Sequence, residues 1–236
     1  MRQYEHLQCG PDRLRVAPWR ADPTIAELGY VVSSRPPQRQ SIERGLYELA
    51  RRGYRGVVTN ALGAAEQSGY LAAGFVVHER LHLLAHDLTR IPEIDGPRLR
   101  RGRRRDHPQI LGVDSAAFSK FWRLDHSGLR DAIAATPASR VRVDAGSGVA
   151  GYAVTGRAAG RGYLQRLAVH PEHQGQRLGA SLVVDSLRWL RRRGCQIAMV
   201  NTQEINERAL HLYQDLGFTP RPDGLAVLRY DLETPS

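Results

Sequence analysis

Apolar and polar residues alternate in "RVRVDA" (Arg140–Ala145) and again in "VAGYAVTG" (Val149–Gly156), with Gly146-Ser147-Gly148 between them. Period-two patterning on both sides of a Gly-Ser-Gly turn predicts an antiparallel hairpin. "GYLQRLAVH" (Gly162–His170) reads as a third strand. The period then changes. From about Leu178, residues Leu178, Leu182, Val183, Leu187 and Leu190 fall on one face of a helix, which closes on Arg191, Arg192, Arg193 and the stop Gly194. "QIAMVNT" (Gln196–Thr202) predicts a short buried strand. "NERALHLYQDLGF" predicts a helix with Ala209, Leu212, Tyr213 and Leu216 as its apolar stripe and Gly217 as its stop. "LAVLRYDL" (Leu225–Leu232) predicts a final strand. Strands followed by strand–helix–strand–helix–strand indicate a mixed α/β sheet flanked by helices.

The rhythm of helix end, glycine, apolar strand, helix, Gly-Phe and strand also runs earlier in the chain. Leu49, Gly53, Asn60, Tyr70, Gly74, Phe75 and Asp87 fall opposite Leu190, Gly194, Asn201, Tyr213, Gly217, Phe218 and Asp231. The expectation is a duplicated domain whose first copy, residues 1–88, has lost material, because too few residues precede Leu49 for a full set of strands. Residues 89–96 read as a linker, and residues 97–236 as the complete copy.

Composition narrows the class. The chain has 236 residues, 42% hydrophobic, and a net charge of +10; Lys120 is its single lysine among 34 basic side chains. Such arginine bias fits a GC-rich genome, while a basic surface favours acidic ligands. The two cysteines, Cys9 and Cys195, suggest neither a zinc site nor a disulfide framework, so no metal is expected and a reducing cytoplasm fits. No apolar run is long enough to cross a membrane or to serve as a signal peptide. The run "RLRRGRRRD" invites a nucleic-acid reading, but no aromatic residues interleave it to stack on bases. It reads better as the first strand of the complete copy, with Asp106 and Pro108 starting a helix.

The chemistry concentrates in "HQGQRLGA" (His173–Ala180), where glycines enter the start of a helix. A helix N-terminus offers unpaired N–H groups and a partial positive charge, and small residues let a diphosphate approach them. The segment has neither the Lys-Ser/Thr of a Walker loop nor a GxGxxG fingerprint. "LAVHPEHQGQRLGASLV" resembles the GNAT superfamily of N-acetyltransferases, whose signature is Q/R-x-x-G-x-G/A after a strand ending in "AVHP". It departs from that pattern at Arg177, which stands where the family has the first glycine of G-x-G. The substitution is expected to be tolerated if the φ angle of Arg177 stays negative. The resemblance extends over about Gly96 to Leu232.

The resemblance implies a mixed, mostly antiparallel GNAT sheet, a partial GNAT-like repeat before it, and acetyl-CoA as cosubstrate. It places the pantetheine against Leu167, Ala168 and Val169, with a backbone N–H near Leu167 on the thioester oxygen. It places the diphosphate on Gln174, Gly175, Gln176, Arg177, Leu178, Gly179 and Ala180, and a side-chain contact on Asn206, which would equally serve as a helix N-cap. Tyr213 matches the family tyrosine that protonates the departing thiolate, although its apolar neighbours would also suit a core tyrosine. Where related N-terminal acetyltransferases carry a glutamate base this chain has Asn201. Glu204, His170, His211 and a water chain all remain open, and no base is assigned. In the first copy "SSRPPQRQ" lies opposite the diphosphate segment, and Pro36 and Pro37 have no N–H to donate. The implied function is transfer of an acetyl group from acetyl-CoA to a primary amine, on a small molecule or a peptide N-terminus, by direct attack in a ternary complex. The alternative is a non-catalytic acyl-CoA-binding protein of the same fold.

Overall fold

The computed structural model describes residues 4–20, 22–30 and 35–232. Ser33 and Ser34 of "SSRPPQRQ" lie outside the described residues. The chain forms two compact units: Leu83–Arg221, and the residues through His82 together with those from Pro222 onward.

The amino-terminal unit begins with β1 (Glu5–Cys9), β2 (Asp12–Trp19) and β3 (Asp22–Tyr30), paired antiparallel in sequence order. Their alternating apolar positions, among them Leu7, Cys9, Leu14 and Val16, are buried. Helix α1 (Arg39–Arg51) follows, burying Ile42, Leu46 and Leu49, which recur at helical spacing. Then come β4 (Gly56–Val58), the two-residue β5 (Leu62–Gly63), α2 (Ala64–Ala72) and the long β6 (Val76–His86). Strand β4 runs parallel to β3, from Ile25↔Gly56 to Glu27↔Val58. Three strands therefore precede α1, more than the expected truncation of this half allowed for.

The carboxy-terminal unit contains β7 (Leu99–Arg101), α3 (His107–Ala117), α4 (His126–Ala134), β8 (Ala138–Asp144), β9 (Gly151–Ala158), β10 (Arg161–Val169), α5 (Leu178–Arg192), β11 (Ile197–Gln203), α6 (Glu207–Asp215) and β12 (Thr219–Pro220). The predicted hairpin is β8–β9, in register from Ala138↔Arg157 to Val143↔Tyr152. Asp144 ties its turn by accepting the Ala150 N–H at 2.8 Å and the Gly151 N–H at 3.1 Å. Strands β7 to β10 are antiparallel, and β10 and β11 pair in parallel. Successive residues of β9 point to opposite faces. Tyr152 and Val154 pack with Ile110, Val113 and Leu129 of α3 and α4, while Ala153 packs with Leu178 and Leu182 of α5. Helices α5 and α6 share a further cluster with Leu164 and Val200.

Strand β13 (Leu225–Asp231) departs from the expected domain boundaries. Instead of completing the carboxy-terminal unit, it pairs with β4 (Arg229↔Val58), β5 (Leu225↔Gly63) and the first part of β6 (Leu225↔Leu81). Ala226 and Leu228 fill the amino-terminal core, and Thr59 and Leu228 exchange two hydrogen bonds of 2.9 Å. Conversely, the last part of β6 belongs to the carboxy-terminal unit, where Leu84 and Ala85 pair with Pro220 and Thr219. The segment expected as a linker is packed: Ile91 and Ile94 lie on the α5–α6 cluster, and a Cβ on Gly96 would meet Ser181 Oγ at 2.2 Å.

Asp106 precedes α3 as expected, though its side chain does not cap the helix. It instead accepts both Nη groups of Arg100, at 2.7 and 3.0 Å, and the Arg103 N–H at 2.7 Å. That pairing holds its carboxyl well below the usual range, at about 2, and absorbs part of the arginine run into the fold.

Leu228 is fully buried, so Leu228→Ala is expected to cost about 3 kcal/mol. The loss should appear as faster hydrogen exchange in α1 and β4, with α5 spared. Acceleration in α5 with α1 unaffected would contradict the placement of β13.

Candidate functional site

The site starts from a break in a sheet. Strands β10 and β11 pair only at Arg161↔Ile197, Gly162↔Ala198 and Tyr163↔Met199. Beyond that point β10 continues to Val169 and β11 to Gln203, so the strands splay and leave a gap. On its other edge β10 stays paired with β9 as far as Val169↔Gly151, through a register shift between Leu164 and Arg166 that marks a bulge. The His170 N–H donates to Ala150 O at 2.8 Å, on the β9 side. Strand alternation then turns the backbone groups of Val169 and Leu167 toward the gap and those of Ala168 away from it.

At the end of β10 the chain turns through Gln174–Arg177 into α5. Gly175 has φ +80, and Arg177 is left-handed, with φ 59 and ψ 6. The condition of a negative φ, under which Arg177 was expected to be tolerated, is therefore not met. The helix begins directly on it, with Ser181 N–H donating to Arg177 O at 2.9 Å. A left-handed L-residue costs roughly 1–2 kcal/mol, which glycine avoids. No side chain caps α5, so the N–H groups of Leu178, Gly179 and Ala180 point out of the helix start without an internal acceptor. Gly179 keeps this turn close to α6, since a Cβ there would lie 3.3 Å from Leu212 Cδ2 and 3.8 Å from Val169 Cγ2.

Side chains from two elements reach this turn. Gln174 Nε2 donates to Val169 O at 3.2 Å, and Arg208 of α6 donates to Gln174 Oε1. Gln176 and Leu178 also border an open cleft of about 690 Å³, lined further by Pro97, Arg98, the Gly146–Gly148 turn, His170 and His173. Asn206 caps α6, its Oδ1 accepting the Ala209 N–H at 3.0 Å. Tyr213 is 4% exposed and packs against Phe218, with ring centroids 5.5 Å apart. Burial raises its pKa, so the phenol holds its proton at neutral pH. Its hydroxyl has no hydrogen-bond partner among the described residues. Asn201, Glu204 and His211 are exposed, and His170 faces the cleft with a buried Nδ1 that makes no hydrogen bond. None of these hydrogen-bonds Tyr213. No cluster of metal-ligating side chains occurs among the described residues.

Two residues absent from the sequence reading brace the opposite face. Asp114 of α3 is fully buried and accepts Arg166 Nε at 2.7 Å, Arg166 Nη2 at 2.9 Å, Tyr152 Oη at 2.5 Å and the Leu124 N–H at 2.7 Å. Arg166 also donates to Trp122 O at 2.7 Å and lies 3.5 Å over the Phe118 ring. This network fixes the α3–α4 connection to the bulge of β10. A signal existed: Asp114 follows Ile110 by four positions, on the stripe that otherwise reads as apolar.

Residues 109–218 match the model of the acetyltransferase (GNAT) family. The carboxy-terminal unit holds a GNAT domain. A mycothiol acetyltransferase of Rhodococcus jostii is 30% identical over 178 residues, covering 67% of this chain and 57% of that protein. One of Stackebrandtia nassauensis is 47% identical over 58 residues, 25% of this chain and 19% of that protein. The chain thus spans just over half the length of the first and less than a fifth of the second. A solved tandem GNAT protein from the clavulanic acid biosynthesis pathway superposes with a TM-score of 0.68 at 16% identity, over 95% of this chain and 80% of that one. That likeness is one of fold.

The strain at Arg177 in the GNAT domain gives a direct test. Arg177→Gly removes the left-handed penalty and is offset in part by glycine's greater freedom when unfolded. The expected net gain is about 0.5–1 kcal/mol, or roughly 2 °C in the calorimetric midpoint. A lower midpoint would mean that contacts of the Arg177 side chain outweigh the strain.

Proposed function

We propose that the chain is an N-acetyltransferase that moves the acetyl group of acetyl-CoA to a primary amine by direct attack in a ternary complex. The observation that carries this reading is the splay of β10 from β11 beside an uncapped start of α5. One edge offers backbone groups of Leu167 and Val169 that no neighbouring strand pairs to an extended amide chain, as an added strand would use them. The other offers the N–H groups of Leu178, Gly179 and Ala180 to a diphosphate. The turn of Gln174, Gly175, Gln176 and Arg177 leads the ligand from one to the other, and Asn206 keeps its Nδ2 free for it. Acetyl-CoA supplies an activated acyl group. The N–H near Leu167 stabilises the oxygen that becomes negative as the amine attacks. Tyr213 gives its proton to the sulfur as the C–S bond breaks. The acceptor enters from the α3–α4 face, where the Asp114–Arg166 network holds the connecting loop. With no base beside Tyr213, positioning carries much of the acceleration, and the amine's proton leaves to water.

The names of the relatives support acetyl transfer. They also make amine-bearing thiol metabolites natural first candidates beside peptide N-termini. No helix of the described residues is long and apolar enough to cross a membrane.

We read the amino-terminal unit as a degenerate GNAT-like repeat. Gly53 and Gly194 (φ 81 and 74) stop α1 and α5, and Gly74 and Gly217 (φ 93 and 91) stop α2 and α6. Tyr70 contacts Phe75 at 5.3 Å as Tyr213 contacts Phe218. Strands β3 and β4 also part after three paired residues. The space is filled from within, however. Pro37 O sits where a Cβ on Gly69 of α2 would lie, 2.1 Å away, and the Gln38 N–H at the start of α1 donates to Asp12 Oδ2 at 3.1 Å. The chain's own carboxylate thus stands at the helix start.

Release of free CoA in the presence of a panel of amines and free-N-terminus peptides tests the reading. CoA binding without release for any acceptor would favour the non-catalytic alternative. Tyr213→Phe is expected to lower turnover about 10²-fold with CoA affinity unchanged; equal turnover would return Tyr213 to a packing role. Calorimetry should find one CoA site per chain, and two would overturn the reading of the amino-terminal unit.

A further inference from the structure

Arginines that brace the carboxy-terminal unit are each matched by an acid. Arg100 pairs with Asp106, Arg140 and Arg142 with Asp185, and Arg166 with Asp114. Arg208 is different. It is exposed, its guanidinium is held on one neutral acceptor, Gln174 Oε1, and no carboxylate pairs with it among the described residues. Arg177, three residues further along the same turn, likewise finds only a backbone carbonyl, Asp95 O at 3.5 Å. Arg177 in the turn and Arg208 against it thus each hold a neutral oxygen, and neither pairs with a carboxylate among the described residues. Gln174 in turn spends its Nε2 on Val169 O, one of the backbone groups that faces the gap. The chain of contacts Arg208–Gln174–Val169 runs from α6 to β10, across the mouth of the splay.

We propose that Arg208 is a diphosphate ligand of the acetyl-CoA site, and that in the free protein its guanidinium is parked on Gln174, with Gln174 occupying Val169 O. This rests on the acetyl-CoA reading above and goes beyond it. Entry of the cosubstrate exchanges partners one for one. The diphosphate takes the Arg208 guanidinium from an amide oxygen, a weaker acceptor than a charged phosphate. The freed Gln174 side chain then leaves Val169 O for an N–H of the pantetheine arm. In the free protein each of these groups has a partner, and the ligand would replace that partner rather than leave a group bare. Nothing in the turn's own pattern announces Arg208, which lies on the next helix.

The test is calorimetric titration of the full chain with CoA and with 3′-dephospho-CoA, which keeps the diphosphate. Arg208→Ala is expected to weaken both ligands about tenfold and to flatten the dependence of affinity on ionic strength, while the thermal midpoint of the free protein is unchanged. Affinity for CoA equal to that of the unaltered protein would overturn the proposal. So would a loss confined to CoA, which would move Arg208 to the 3′-phosphate. A lowered midpoint in the free protein that accounts for the loss would make Arg208 a residue of the fold and overturn it as well. If the unaltered protein binds no CoA, the acetyl-CoA reading itself fails, a result distinct from these three.

Discussion

The parting of β10 from β11 after Tyr163↔Met199 is the constraint on which the rest of the carboxy-terminal unit depends. A sheet that stops pairing in its middle exposes N–H and C=O groups that must find partners. Every other feature of the site answers that demand. The bulge before Arg166 lets β10 bend away while keeping β9 on its far edge. Gln174 attends to Val169 O, and α5 starts directly beyond with donors of its own. A gap of this kind cannot be closed by packing, because its walls are backbone.

Something must also keep β10 from relaxing back. Asp114 and Arg166 do this from the α3–α4 face, as a buried ion pair with Tyr152, Leu124 and Trp122 satisfying the remaining groups. Replacing such a pair with apolar residues is often neutral for stability, whereas breaking it is not. Its value here is geometric. It joins a helix, a loop and the bent strand at one point, so the α3–α4 connection and β10 keep a fixed spacing.

Much of this was legible in the sequence because it is local. The Gly-Ser-Gly hairpin, the stripe of α5 and the stripe of α6 are periodic, and each falls within a residue or two of the expected position. Strands β1–β3 are less legible: Leu14 and Val16 alternate with Arg13 and Arg15, but the acids Asp12 and Glu27 occupy buried positions where the pattern calls for apolar residues. The left-handed Arg177 was illegible for a different reason: side-chain identity argues for negative φ, and only the turn dictates otherwise. Asp114, Arg166 and Arg208 act through partners far away in the chain, and periodicity carries no information about those.

The place of β13 has a consequence for biosynthesis. The amino-terminal unit emerges from the ribosome first, yet its sheet lacks the strand that sits between β4 and β6 until Leu225–Asp231 has been made. The carboxy-terminal unit has all its own strands by Pro220. The usual order, in which the earlier-made domain folds first, is therefore reversed. The nascent amino-terminal half must wait with the edges of β4 and β6 at Val57 and Leu81 still lacking their neighbour, and β13 closes it last.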